Sequence, residues 1–198
     1  MIRYINGKKH RLRSIWTCII KHDFPKLKEY FTCFPDEIDK IIDEKQLRTP
    51  LLSAIENNFI EGALYLIEKG ANVSLLDYFN ISALIRAVKI NSYELCKRLI
   101  SIDKDLVSIE QKEGRTAVWY AISQIGRRSS EPIDFRILDL LVENGADMYK
   151  PISNKTTAYE LITHQDNAKE ILSHIKSKYP QLITQPGAAH AAQTPANP

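Results

Sequence analysis

Glycine is scarce in this chain, seven residues in 198, and no two of them are adjacent. A glycine-rich loop able to cradle phosphates therefore has no material. Cysteine is scarcer still. Cys18, Cys33 and Cys96 form an odd and sparse set, which argues against a disulfide-stapled secreted scaffold and fits a reducing compartment. A surplus of one charge is also missing: 27 Lys and Arg face 24 Asp and Glu, and the formal net charge of +3 gives no broad field to draw in nucleic acid. Long hydrophobic runs are absent as well. The stretch Ile15 to Ile20 is cut off by Lys21, His22 and Asp23 before it could serve as a signal-peptide core, and no segment reaches the roughly 18 apolar residues of a membrane span. His10, His22, His164, His174 and His190 have no cysteine or carboxylate at zinc-ligand spacing. No metal or other cofactor is expected, and the chain is not expected to be an enzyme.

What is present is a repeat. Thr49-Pro50-Leu51-Leu52-Ser53-Ala54, Ser82-Ala83-Leu84-Ile85-Arg86-Ala87 and Thr116-Ala117-Val118-Trp119-Tyr120-Ala121 share a leading hydroxyl, a small or proline residue, and alanine five positions on. Thr156-Thr157-Ala158-Tyr159-Glu160-Leu161 follows more loosely, and the leading hydroxyls stand 33, 34 and 40 residues apart. Between the hexapeptides lie apolar stripes at helical spacing, Ala63, Leu64, Leu66 and Ile67 in one case and Ile137, Leu138, Leu140 and Leu141 in another. Gly70-Ala71-Asn72 and Gly145-Ala146-Asp147 close these stripes, where a helix ends and a left-handed residue lets the chain turn away. Thr49 suits a helix N-cap with Pro50 in the first turn.

A period near 33 residues, a Thr-Pro-Leu opening, two helices and a closing Gly-Ala-Asp turn resemble the ankyrin repeat. The resemblance implies an all-α solenoid of about five helix-turn-helix units. Their expected bounds are 14–42, a divergent capping unit built on Ser14 to Ile19, then 43–76, 77–110, 111–150 and 151–179. Helices are expected over 15–22 and 25–33, 50–57 and 60–69, 83–90 and 93–101, 117–125 and 134–144, and 157–163 and 167–178. A basic arm, 1–13, precedes the stack and is read either as a lead-in or as a nuclear-import or anionic-surface segment, and an Ala/Pro-rich flexible tail, 180–198, follows it. Asp103-Lys104-Asp105-Leu106 stands where glycine is usual and predicts a weaker, more mobile joint. Asn80 and Asn154 take the glycine place in hairpin turns, since asparagine tolerates the left-handed region. That accounts for two of the three glycosylation-like tripeptides, at Asn72, Asn80 and Asn154, without a glycan.

Residues 126–133 predict a protruding loop in which Arg127 and Arg128 precede Ser129 and Ser130. The loop is read either as a phosphorylation site or as a plain solvated segment.

In ankyrin stacks the hairpin tips and the open side of each first helix line a concave face, and the resemblance carries this face over to the present chain. It selects Arg48, Tyr78, Phe79, Lys112 and Arg115 at tips, with Lys45, Glu113 and Lys155 beside them, and Arg86 and Tyr120 on first helices, with Ser53 and Glu160. Tyr78 and Phe79 are the sharpest of these, because two adjacent aromatics at a turn form either an anchor for a partner or, if one ring folds back, a cover for the next hairpin. The expected function is protein binding by a monomer, cytoplasmic, with no nucleic acid or membrane partner. A stand-alone ankyrin-like unit resembles the small inhibitors and adaptors that viruses and intracellular bacteria place in host cells, which implies a host-directed effector or adaptor acting in host cytoplasm, and the abundance of Ile, Lys and Asn suits the AT-rich genome of such a source. Other readings are an IκB-like inhibitor of a transcription factor, a ubiquitin-ligase adaptor with an F-box-like Phe34-Pro35-Asp36-Glu37-Ile38, or a fragment of a larger enzyme.

Overall fold

A computed structural model describes residues 2–5, 8–125, 133–153 and 155–182, with side chains from Ile15 onward. The expected loop with Ser129 and Ser130, Asn154, and the tail beyond residue 182 lie outside the described residues.

Helices pair along the chain as α1 (Leu12–Ile20) with α2 (Phe24–Cys33), α3 (Pro50–Glu56) with α4 (Ile60–Glu68), and α5 (Ala83–Lys89) with α6 (Tyr93–Ile102). Two more pairs follow, α7 (Ala117–Ile125) with α8 (Arg136–Glu143) and α9 (Ala158–Ile162) with α10 (Ala168–Lys178). The first helices α1, α3, α5, α7 and α9 pack side by side as an inner row, and α2, α4, α6 and α8 follow as an outer row. This is the ankyrin-type helical solenoid that the repeat pattern implies.

Local chemistry explains the pairs. Thr49 and Ser82 accept backbone N–H bonds from Leu52 and Ile85 at 3.3 and 3.2 Å, fixing the starts of α3 and α5. Ala54, Ala87 and Ala121 are buried, and their small side chains let neighbouring inner helices approach. Leu51, Leu52, Ile55, Leu66, Leu84, Ile85, Leu95 and Leu99 fill the space between the rows. Gly70 and Gly145 have φ of +87° and +90°, and a Cβ on either would meet nothing within 4 Å. Conformation, and not space, is therefore what glycine supplies there.

Four details differ from the sequence expectation. The backbone of the basic arm is paired as an antiparallel hairpin, β1 (Ile2–Ile5) with β2 (Lys8–Arg11), with Arg3 opposite His10, and β2 runs directly into α1. In the last unit the N-cap is Thr157 and not Thr156: its hydroxyl accepts from Glu160 N at 3.0 Å while the Glu160 carboxylate accepts from Thr157 N at 2.9 Å. This reciprocal box shifts the last hexapeptide one residue along the chain. The exit at Asp103 is tied down where a loose joint is expected. Asp103 caps a 3-10 turn, Lys104–Ser108, accepting from Asp105 N at 3.0 Å and from Ser74 Oγ at 2.6 Å, and Leu106 and Val107 are buried beneath it. Phe34-Pro35-Asp36-Glu37 makes a similar exit after α2, with Glu37 buried and bonded to the Tyr30 hydroxyl. That packing gives the F-box-like segment a structural role.

Candidate functional site

The tips preceding each inner helix are built alike. Leu47, Asn80, Gly114 and Lys155 all take positive φ, between 54° and 81°, at the same place before α3, α5, α7 and α9. Backbone bonds then join tip to tip: Tyr78 N donates to Gln46 O at 2.8 Å, Lys112 N to Phe79 O at 3.0 Å, and Ser153 N to Glu113 O at 3.1 Å. The tips thus form one ladder along the stack, so a partner lying on them meets a surface ordered in advance.

The second of these tips is the most strongly organised. Asp77 Oδ1 accepts from both Phe79 N and Ile81 N at 2.8 Å, and Asp77 N donates to Ile81 O at 3.3 Å. Between these bonds the side chains of Tyr78 and Phe79 stand out, 51% and 44% exposed, with ring centroids 5.2 Å apart edge to face. Neither ring folds into the core. Lys112 Nζ from the next tip lies 3.6 Å from the Tyr78 centroid and 5.7 Å from that of Phe79. A cation over an aromatic face is an attractive pair, and at an exposed site it orients both side chains.

Arg86 requires a correction. The sequence assigns it to the open side of α5, but it is only 2% exposed. Its guanidinium pairs with Asp77, itself buried, and with Glu56 at the end of α3. Burial, reinforced by the neighbouring positive charge of Arg48, lowers its pKa to about 10, so it remains charged at neutrality and needs both carboxylates. Arg86 therefore braces the tip from below and offers no contact to a partner. Ser53 is buried in the equivalent place on α3, and Glu160 is engaged in the α9 capping box. Neither presents a free side chain.

Two of the remaining candidates, Arg115 and Tyr120, are linked through Trp119. Arg115 pairs with Glu113 at 2.6 Å and lies with its Cζ 4.6 Å from the Trp119 ring. Trp119 meets Tyr120 edge to face at 5.2 Å, and Lys89 Nζ of α5 lies 5.6 Å from the Tyr120 ring. Gln124 of α7 donates to Lys89 O at 3.3 Å and fastens the two helices there. Arg48 is half-buried at the first tip, where its backbone pairs with Asp43. The structure thus brings together Tyr78, Phe79 and Lys112, and beside them Arg115 and Tyr120 through Trp119.

Two residues of this face were not selected from the sequence. Asp77 organises the tip, and Lys89 caps Tyr120. Lys89 sits one helical turn beyond Arg86, and extending the inner-helix positions by that turn would have found it. Its ammonium is shifted below the usual lysine value, first by burial and then by the charges of Arg86 and Arg48, while Asp77 opposes the shift.

Elsewhere the chemistry is sparse. Cys18 and Cys96 are free and buried, and burial raises both thiols, Cys96 to about 12, which holds them in the unreactive protonated form. Among the described residues no group of three or more His, Cys, Asp and Glu could hold a metal ion, and no helix is long and apolar enough to cross a membrane.

No family model matches the chain. Its sequence is similar to that of the "Probable 26S proteasome regulatory subunit p28" of Saccharomyces cerevisiae, 29% identical over 122 residues, which is 62% of this chain. The matched segment spans 50% of the yeast protein's length.

Proposed function

We propose that this chain is a protein-interaction adaptor that binds its partner across the hairpin tips and the adjoining side of α5 and α7, with Tyr78, Phe79, Lys112, Arg115 and Tyr120 as the contacting residues. The observation that carries this reading is the Tyr78–Phe79 pair: two adjacent aromatic rings, about half exposed, on a tip fixed from below by Asp77 and Arg86. Aromatic and arginine side chains dominate the energetics of protein interfaces, and rings held by a rigid backbone lose little freedom on binding. Similarity to a protein whose name describes a proteasome regulatory subunit favours a partner that is a subunit of a larger assembly. The stand-alone repeat unit and the Ile-, Lys- and Asn-rich composition also fit a host-directed effector. Phosphorylation at Ser129 or Ser130 remains a proposal from sequence.

The test is affinity capture from cell lysate with the full chain as bait, beside a Tyr78→Ser/Phe79→Ser chain of unchanged helical circular dichroism. Loss of the captured band in the double variant supports the reading. Equal capture by both chains places the contact elsewhere.

A further inference from the structure

The same face has an uneven charge balance. Three of its carboxylates are committed internally, Asp77 and Glu56 to Arg86 and Glu113 to Arg115. Arg48, Lys89 and Lys112 have no ion pair among the described residues; the two lysines instead stand over the rings of Tyr120 and Tyr78. The junction of α8 and α10 is different. There Lys178 is paired with both Asp139 and Glu143, Arg136 with Asp134, and His174 with Asp139. Two lysines without an ion pair among the described residues thus stand over aromatic rings of this face, Lys112 over the exposed Tyr78 and Lys89 over Tyr120.

We propose that this face receives an acidic segment of a partner protein anchored by an apolar side chain, with carboxylates beside Lys112, Lys89 and Arg48 and the apolar group against Tyr78 and Phe79. This rests on the reading of the face as the protein-binding surface. Contacts run without a break from the Tyr78–Phe79 tip through Lys112, Glu113, Arg115, Trp119 and Tyr120 to Lys89, so one extended segment can engage both lysines. Acidic residues supply negative charge opposite Lys112, Lys89 and Arg48, which have no carboxylate partner, and complementarity of this kind sets specificity and association rate more than raw affinity. A basic segment would meet three uncompensated cations.

The test selects a random phage-displayed peptide library on the immobilised full chain. A synthetic peptide of the enriched sequence is then titrated by fluorescence anisotropy against the chain and its Lys89→Gln/Lys112→Gln variant, at low and high salt. The expected result is enrichment of sequences with two or more Asp or Glu flanking Leu, Phe or Trp. Their affinity should fall roughly tenfold or more in the lysine variant and weaken with salt. Enrichment of neutral or basic sequences, or of none above the starting library, overturns the proposal. If the selected peptides are neutral but are lost in the Tyr78→Ser/Phe79→Ser chain, the face binds and only its acidic preference falls. If they are indifferent to both pairs of substitutions, the reading of the face falls as well.

Discussion

Two charge clusters tie neighbouring units of this stack together, and they sit in opposite environments. On the inner row Arg86 is sealed between Asp77 and Glu56, beneath the Tyr78–Phe79 tip. On the outer side Asp139 of α8 gathers His174 at 2.7 Å, Lys178 at 2.9 Å and the Tyr179 hydroxyl at 3.0 Å from the end of the stack, and His174 stacks on Phe135 with centroids 3.9 Å apart. In the first cluster Arg86 and Asp77 are cut off from water, and only Glu56 reaches it. The second lies near the surface, where water can replace any partner that is lost. The comparison teaches that the same kinds of ions hold a tip rigidly in one place and merely clasp two helices in the other.

The largest effect is expected at the inner cluster. Arg86→Met leaves Asp77 as a buried charge without its cation, which costs about 3–5 kcal/mol and is read by urea denaturation. A loss below about 1 kcal/mol would erase the contrast between the clusters. Leu66→Ala calibrates that scale with a purely apolar change: Leu66 of α4 is fully buried, and the cavity should cost about 2–5 kcal/mol. An unchanged denaturation midpoint would contradict the orientation of α4.

A smaller effect is expected at the outer cluster. Burial pushes the Asp139 carboxyl up, but bonds from His174, Lys178 and Tyr179 outweigh it and hold the group below the usual aspartate range. A carboxyl depressed in the folded state contributes stability above its unfolded pKa of about 3.9, and that contribution is lost as pH falls through the lower folded value. Asp139→Asn should therefore cost about 1 kcal/mol at neutral pH, limited by solvent screening, with the difference from the parent chain shrinking in acid. A cost that is independent of pH would point to packing and not to charge. The smallest effect on stability belongs to Tyr78→Ser/Phe79→Ser, within about 0.5 kcal/mol by thermal melting, because the rings project from the tip. A marked drop would put them in the packing.

The sequence made the architecture legible because a solenoid repeats its demands. Small residues recur where inner helices meet, at Ala54 and Ala87, glycine recurs at helix exits, at Gly70 and Gly145, and observed helix ends fall within three residues of those expected. Other features depend on partners distant in the chain. Nothing local to Arg86 announces that Glu56, thirty residues earlier, will help to bury it. The last N-cap was readable, since Glu160 stands three residues after Thr157 and makes the box, but the adjacent threonines disguised it. The N-terminal hairpin also carried a signal. Asn6-Gly7, a favoured dipeptide between hairpin strands, lies between Ile2–Ile5 and Lys8–Arg11, where basic composition drew attention instead. Of the candidate site, the exposed aromatics and Lys112 were readable from their place in the tips. The bracing by Asp77 and Arg86 was not, because it is a through-space property.

Hydrogen–deuterium exchange of the full chain, alone and with a captured partner bound, tests the central claim most directly. Binding at the tips predicts slowed exchange over residues 77–82 and 111–120 with α4 and α6 unchanged. Slowing confined to α4 and α6, with both tips unaffected, would contradict it.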